Sequence, residues 1–178
     1  PEDAPNTLIC YLKHLRYKVI DIPFLEDVQV KMENRNMICI EVGETDILGC
    51  LKEGKTYFYF DDNGVVQEAL SERRDTVPLI TGAEAGDLEI GQNISIENRT
   101  VYKGIIELCQ LLVDHDIAPE EIEIGEDGYF TVYINEAIRV RFGAPVLLEG
   151  KAAELANILP ELLNMQETDQ IRGILHLE

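Results

Sequence analysis

Residues 56–70 read TYFYFDDNGVVQEAL and contain the clearest structural signal of the chain. Five β-favouring residues, 56–60, precede a polar Asp-Asp-Asn-Gly group, and a second β-favouring segment follows it. Asn63 and Gly64 supply the positive φ angles that a tight hairpin turn requires. The segment therefore predicts a β-hairpin with strands over residues 56–60 and 65–70.

Ahead of this hairpin, the sequence shows a second pair of β-favouring segments. Residues 28–32 and 37–42 alternate roughly between apolar and polar side chains, and the polar residues 33–36 join them. Alternation on both sides of a short polar link is typical of a hairpin. A third apolar segment follows at residues 47–51.

Downstream of residue 120, the pattern again indicates strands. Residues 121–124, 129–134 and 137–142 are separated by turn residues and predict a three-stranded meander. Residues 173–177 predict one more strand at the C-terminus.

Two segments have helical periodicity. Residues 100–114 place apolar side chains at i, i+3, i+4 and i+7, which predicts an amphipathic helix. Residues 148–163 predict a second helix, in which Pro160 requires a kink or an early end. Strand groups interrupted by two helices in this order predict an α+β fold with helices packed on an antiparallel sheet.

Composition excludes some classes of partner. The chain has 178 residues and a formal net charge of -19, from 34 acidic and 15 basic residues. Such a surface repels phosphate polymers and anionic lipid headgroups, so no nucleic acid is expected as a partner. The acidic residues are spread along the chain, which is typical of a solvated surface.

The residues that could support catalysis or metal binding are scattered. His14, His115 and His176 stand in separate elements without a paired nucleophile. The cysteines form no CxxC and no Cys/His pair at metal spacing, and the phosphate-binding glycine motifs are missing from the sequence. Asp61 and Asp62 lie where turn chemistry already requires Asp, so a turn is favoured over a calcium loop. We expect no catalytic residues, no cofactor and no metal.

Several short stretches resemble, in unbroken order, the extracytoplasmic region of the FtsQ/DivIB family of bacterial cell-division proteins. They are Ile22-Pro23-Phe24 ahead of a strand, residues 36–44, Gly49-Cys50-Leu51, and residues 57–66, 77–82, 122–128, 139–143, 151–163 and 173–177. Each stretch is degenerate, but their order and spacing over residues 20–177 are specific.

The resemblance implies a domain organisation and a location. It implies a partial polypeptide-transport-associated (POTRA) domain over residues 1–51 and a β domain over residues 52–178. A complete POTRA domain begins with a strand and a helix, and only 22 residues precede Pro23, so we expect this domain to be incomplete. Because the chain begins with Pro1, we expect it to be part of a longer protein. The resemblance implies that a single transmembrane helix absent from this chain anchors that protein in the cell membrane, with this region outside the membrane at the division septum.

The resemblance also implies a function. Members of the family are non-enzymatic scaffolds that bind other bitopic division proteins, FtsB/DivIC and FtsL. The implied mechanism is strand addition at a C-terminal edge. The implied partner-binding residues are Arg172, Gly173, Ile174, Leu175, His176 and Leu177. Family members continue beyond the position of Glu178 with residues that help to hold FtsB/DivIC.

Two alternatives from other classes stay open. A secreted or surface hydrolase would require two carboxylates that converge in a cleft. A small-ligand binding module would require a closed apolar pocket in place of an open strand edge.

Overall fold

The computed structural model describes residues 25–34, 37–44, 46–169 and 172–178. The chain divides into two compact units, Pro1–Asp46 and Ile47–Glu178. In the described part of the chain, ten strands and two helices occur. None of these helices has the length and apolar character needed to cross a bilayer.

The first unit contains the hairpin expected upstream. Strand β1 (Leu25–Asn34) pairs antiparallel with β2 (Met37–Glu44), with Val28 opposite Val42 and Val30 opposite Ile40. Both strands extend beyond the predicted segments. Residues 35–36 of the expected link and the phrase Ile22-Pro23-Phe24 lie outside the described residues.

The second unit is built on one eight-stranded sheet, and its α+β class confirms the prediction. Its elements are β3 (Ile47–Glu53), β4 (Thr56–Asp61), β5 (Val66–Leu70), β6 (Leu79–Thr81), α1 (Arg99–Asp114), β7 (Glu121–Ile124), β8 (Phe130–Tyr133), β9 (Ile138–Gly143), α2 (Leu148–Asp169) and β10 (Gly173–His176). The strand order is β10-β9-β8-β7-β6-β3-β4-β5.

The expected antiparallel sheet is in fact mixed. β10 runs parallel to β9, and β6 runs parallel to both β3 and β7. A parallel pair needs a crossover, and α2 supplies it between β9 and β10. Hydrophobic alternation reports which side chains share a face but not the direction of a strand, so the sequence did not reveal these parallel pairs.

The domain boundary expected after Leu51 falls inside a strand. β3 (Ile47–Glu53) pairs with β4 on one side and with β6 on the other. These hydrogen bonds tie the whole of β3 to the larger sheet, and the division of the chain lies between Asp46 and Ile47.

The main core lies between the sheet and the two helices. Asn98 caps α1, because its side chain accepts hydrogen bonds from the N–H groups of Thr100 and Val101. The buried side chains include Phe60, Ile105, Leu108, Ile122, Phe130, Val132, Val140, Phe142, Leu148 and Leu155. On the opposite side of the sheet, Cys50, Tyr59 and Val77 form a second, smaller buried cluster. We call the part of that side formed by β7, β8, β9 and β10 the open face.

Pro160 does not end α2, although an early end was one of the two outcomes predicted from the sequence, the other being a kink. The helix continues to Asp169, nine residues further on. Leu155 and Leu159 pack in the core before the proline, and Leu162 packs against the core after it. Packing on both sides offsets the backbone hydrogen bond that proline cannot make.

Candidate functional site

β10 forms one edge of the sheet, and the residues predicted to bind a partner lie on it. Gly173 N–H donates to Ala137 O at 3.1 Å, and Leu177 N–H donates to Arg141 O at 2.9 Å. Because alternate residues of a strand direct their backbone groups to the same side, Leu175 also faces β9. The backbone N–H and C=O groups of Ile174 and His176 therefore point away from the sheet. In the described residues, no strand pairs with that outer side.

The side chains of β10 alternate between two environments. Leu177 is buried and Leu175 packs against the core below the helices. Ile174 and His176 lie on the open face, in register with Arg139 and Arg141 of β9. Ile174 is 51% exposed, so a large apolar side chain meets solvent at the edge.

A row of polar side chains crosses the open face behind the edge. The Arg139 guanidinium lies 5.4 Å from the ring centroid of Tyr133, a cation–π contact. Tyr133 donates a hydrogen bond from its hydroxyl to Glu123, and this hydrogen bond raises the pKa of Tyr133. Arg139 is thus held by a partner that stays neutral at physiological pH.

Glu178 makes polar contacts with two side chains at the C-terminal end of β10. Oε1 of Glu178 lies 3.1 Å from Nδ1 of His176 and 3.9 Å from the Arg141 guanidinium. Exposed pairs of this kind contribute little stability but restrict side-chain positions. Arg172 is exposed at the other end of the strand. Three arginines, 139, 141 and 172, therefore lie on or beside the edge of a strongly acidic chain.

The arginines of β9 were missed as site residues by sequence reasoning. The alternation Arg139-Val140-Arg141-Phe142 places both arginines on the face opposite the buried Val140 and Phe142. That signal could have identified them. Their position beside β10 could not be read from the sequence, because it depends on the parallel pairing of β9 and β10.

A polar groove of about 390 Å³ lies beside this end of the sheet, and three carboxylates line it. Each of them has a polar partner. Glu123 accepts from Tyr133, Asp127 accepts from the N–H of Tyr129, and Glu178 pairs with His176. Because carboxylates converge in this groove, the hydrolase stays an open alternative.

A pocket of about 450 Å³ lies beside α1, lined in part by Tyr102, Ile106 and Gln110, and it is open to solvent instead of closed. A smaller pocket, of about 240 Å³, lies between α1 and the sheet. Leu48, Cys109, Leu112 and Ile117 contribute apolar walls. This volume is below the roughly 300–1,000 Å³ common for small-ligand sites.

The Asp61-Asp62-Asn63-Gly64 segment forms a hairpin turn, as predicted. Asp61 is buried, and its Oδ1 accepts from the N–H groups of Asn63 and Val65, at 2.9 and 2.8 Å. Only Gly64 has a positive φ, of +73°, although the sequence predicted one at Asn63 as well. Among the described residues, no group of three or more His, Cys, Asp or Glu side chains is arranged to hold a metal ion.

His176 lies on β10, whereas His115 caps the C-terminus of α1. His14 lies outside the described residues.

In comparisons with known proteins, no family model and no curated protein matches the chain.

Proposed function

We propose that this chain is the external region of a bacterial cell-division protein of the FtsQ/DivIB type. In this proposal it is a non-enzymatic scaffold at the division septum, and a transmembrane helix elsewhere in the protein anchors it in the cell membrane. Its partner is a bitopic division protein similar to FtsB/DivIC or FtsL, which adds a strand to β10.

The ordered resemblance over residues 20–177 supports the family. Segments at 57–66, 77–82, 122–128, 139–143 and 173–177 all fall on strands or turns of one sheet. Such an arrangement is compatible with the β domain that the resemblance implies.

Strand addition is supported above all by one observation: among the described residues, no strand pairs with the outer side of β10. Ile174 and His176 direct two N–H and two C=O groups away from β9. An unpaired edge is a template for another strand unless the protein blocks it. By contrast, the opposite edge is partly covered, because Val66 N–H donates to Gln92 O and Gly91 N–H donates to Val66 O.

Charge and shape indicate the chemistry of the partner segment. Arg172 and Arg139 favour carboxylates on the part of the added strand that passes them. Ile174 favours an apolar side chain beside it on the open face. The partner segment is therefore an extended peptide with acidic residues and at least one apolar residue, and the backbone supplies most of its affinity.

The test is calorimetric titration of this chain with the external region of a DivIC-like protein from the same organism. Ile174→Pro removes an outward N–H without removing a hydrogen bond to β9, so the sheet should survive. We expect its affinity to fall by roughly tenfold or more. Arg172→Glu should also weaken binding, and more so at low salt.

Ile174→Thr is the matched control, because it shortens the same side chain but keeps the N–H. Its affinity should stay closer to that of the wild-type chain. If neither the wild-type chain nor the same chain with its native C-terminal extension binds, the proposed function is wrong. If Ile174→Pro binds as tightly as Ile174→Thr, strand addition at this edge is wrong.

A further inference from the structure

Residues 71–77 make up most of the connection from β5 to β6, and we call them the strap. In the sheet, β4 and β3 lie between β5 and β6, so this connection has to cross both strands. The N–H of Arg74 donates to the hydroxyl of Tyr59 at 2.8 Å, and Val77 is buried in one cluster with Cys50 and Tyr59. The strap therefore crosses the side of the sheet opposite α1 and α2.

The strap covers two side chains of the strands beneath it. Cys50 on β3 and Tyr59 on β4 are completely buried. Their neighbours Leu51 and Phe60 lie in the main core, so Cys50 and Tyr59 point to the other side of the sheet. In the described part of the second unit, the strap is the only segment outside the sheet that contributes a buried residue to their cluster. Burial of the two side chains thus depends on the strap.

Most contacts that hold the strap closed are polar and exposed to solvent. Nη2 of Arg74 lies 2.7 Å from Oε2 of Glu68, and the Arg74 side chain is 44% exposed. The same guanidinium lies over the ring of Tyr59, 5.4 Å from its centroid. The Arg73 guanidinium donates to the carbonyl of Glu120, just before β7. Exposed pairs of this kind contribute little stability, because water screens them.

The strap has little apolar burial, and one of its buried groups is unsatisfied. Val77 is the only buried residue of the strap. Nε of Arg73 is buried without a hydrogen-bond partner among the described residues, and opening of the strap returns this donor to water. The strands beneath differ, since β3 is hydrogen-bonded to β4 and β6, and β4 to β3 and β5. Segments with few buried apolar contacts open at a lower free energy than the core of a sheet.

We propose that the strap opens as an independent unit while the eight-stranded sheet stays folded. Opening exposes Cys50 and Tyr59 and makes the covered part of this side continuous with the open face. The strap thereby controls how much of the helix-free side of the sheet is accessible. This device does not involve the edge of β10, so it operates whether or not a partner strand binds there.

The test compares two buried thiols of the same unit. Cys50 lies under the strap, and Cys109 lies in the main core between α1 and the sheet. The wild-type chain is alkylated with iodoacetamide at pH 8, and the rate of each thiol is divided by its rate in unfolding concentrations of urea. Tandem mass spectrometry separates Cys50 from Cys39, which lies on the same tryptic peptide.

Local opening predicts different rates for the two thiols. We expect Cys50 to react at least about tenfold faster than Cys109 on this scale. Low concentrations of urea should leave the rate at Cys50 nearly unchanged, because opening of the strap exposes little surface, and should raise the rate at Cys109. If the two thiols share one rate and one urea dependence, or if Cys50 is the slower, only global unfolding exposes Cys50 and the inference is wrong.

Arg74→Ala tests whether the strap is the element that opens. This variant removes the ion pair with Glu68 and the contact with the aromatic ring beneath it, and the sheet should survive because Arg74 is exposed. We expect the rate at Cys50 to rise by about five- to tenfold, with the rate at Cys109 unchanged. Glu72→Ala, at an exposed position of the same strap, is the matched control and should change neither rate. An unchanged rate at Cys50, or an equal rise at both thiols, would overturn the inference.

Discussion

The buried carboxylate of Asp61 accepts a hydrogen bond of 2.7 Å from Nε2 of Gln67, six residues further along the chain. Its other oxygen accepts the N–H groups of Asn63 and Val65. One side chain thus links the turn to the strand that leaves it. This hairpin contributes to the edge of the sheet opposite β10.

Replacing Asp61 should destabilise the protein strongly. In Asp61→Ala, three donors lose their acceptor, so we expect a loss of about 2–3 kcal/mol in the free energy of unfolding. Urea denaturation followed by circular dichroism measures it. Asp62→Ala, at the exposed neighbour, should change the free energy by less than about 0.5 kcal/mol. Equal effects of the two variants, or a rise in melting temperature on adding calcium, would contradict the turn assignment.

Two helical glycines should respond to alanine in opposite ways. A methyl group on Gly104 would lie 2.6 Å from Cβ of Pro145 and 2.9 Å from Cζ of Phe130. Gly104→Ala should therefore cost about 1–3 kcal/mol through overpacking. Gly150 has no neighbour within 4 Å of the same position, so Gly150→Ala should stabilise by about 0.5 kcal/mol through helix propensity. Thermal unfolding of both variants checks this, and a stabilising Gly104→Ala would show that the loop at Pro145 is not packed as described.

High pH should destabilise the protein through two buried thiols. Burial raises the pKa of Cys50 to about 11 and that of Cys109 to about 12, from 9.0. Since the unfolded thiols lose their protons first, the stabilisation is complete below about pH 9 and is lost progressively as the pH rises toward 12. Urea midpoints measured between pH 8 and pH 11 should fall. A midpoint that stays constant or rises over this range would contradict the prediction.

The same burial predicts slow chemical labelling. At pH 8, an alkylating reagent should modify Cys50 and Cys109 in the native protein far more slowly than in urea, because the thiolate is the reactive form. Mass spectrometry of the two peptides measures the rates. Equal rates in native buffer and in urea would mean that Cys109 is not enclosed between α1 and the sheet, and that Cys50 is not enclosed with Tyr59 and Val77.

Most strands and turns could be predicted from local sequence patterns. The turn at Asn63 and Gly64 and the alternation through residues 121–142 depend only on neighbouring residues, and the strands formed there. Pro160 shows where local reasoning fails, because packing of Leu155 and Leu159 outweighs the helix-breaking preference. The parallel direction of β10 depends on a crossover that no local pattern encodes.

The candidate site could likewise be predicted only in part. The resemblance pointed to residues 172–177, but Arg139 and Arg141 join that edge only through the register of β9 with β10. The strap could not have been singled out from the sequence. Its path over β4 and β3 follows from the order of the strands in the sheet.

Strand addition can be observed directly by amide hydrogen exchange of β10, measured by NMR with and without the external region of a DivIC-like partner. If the partner adds a strand, exchange at Ile174 and His176 slows by at least about tenfold. Exchange at Leu175, whose N–H already faces β9, changes much less. A bound partner that leaves exchange at Ile174 and His176 unchanged would contradict strand addition at this edge.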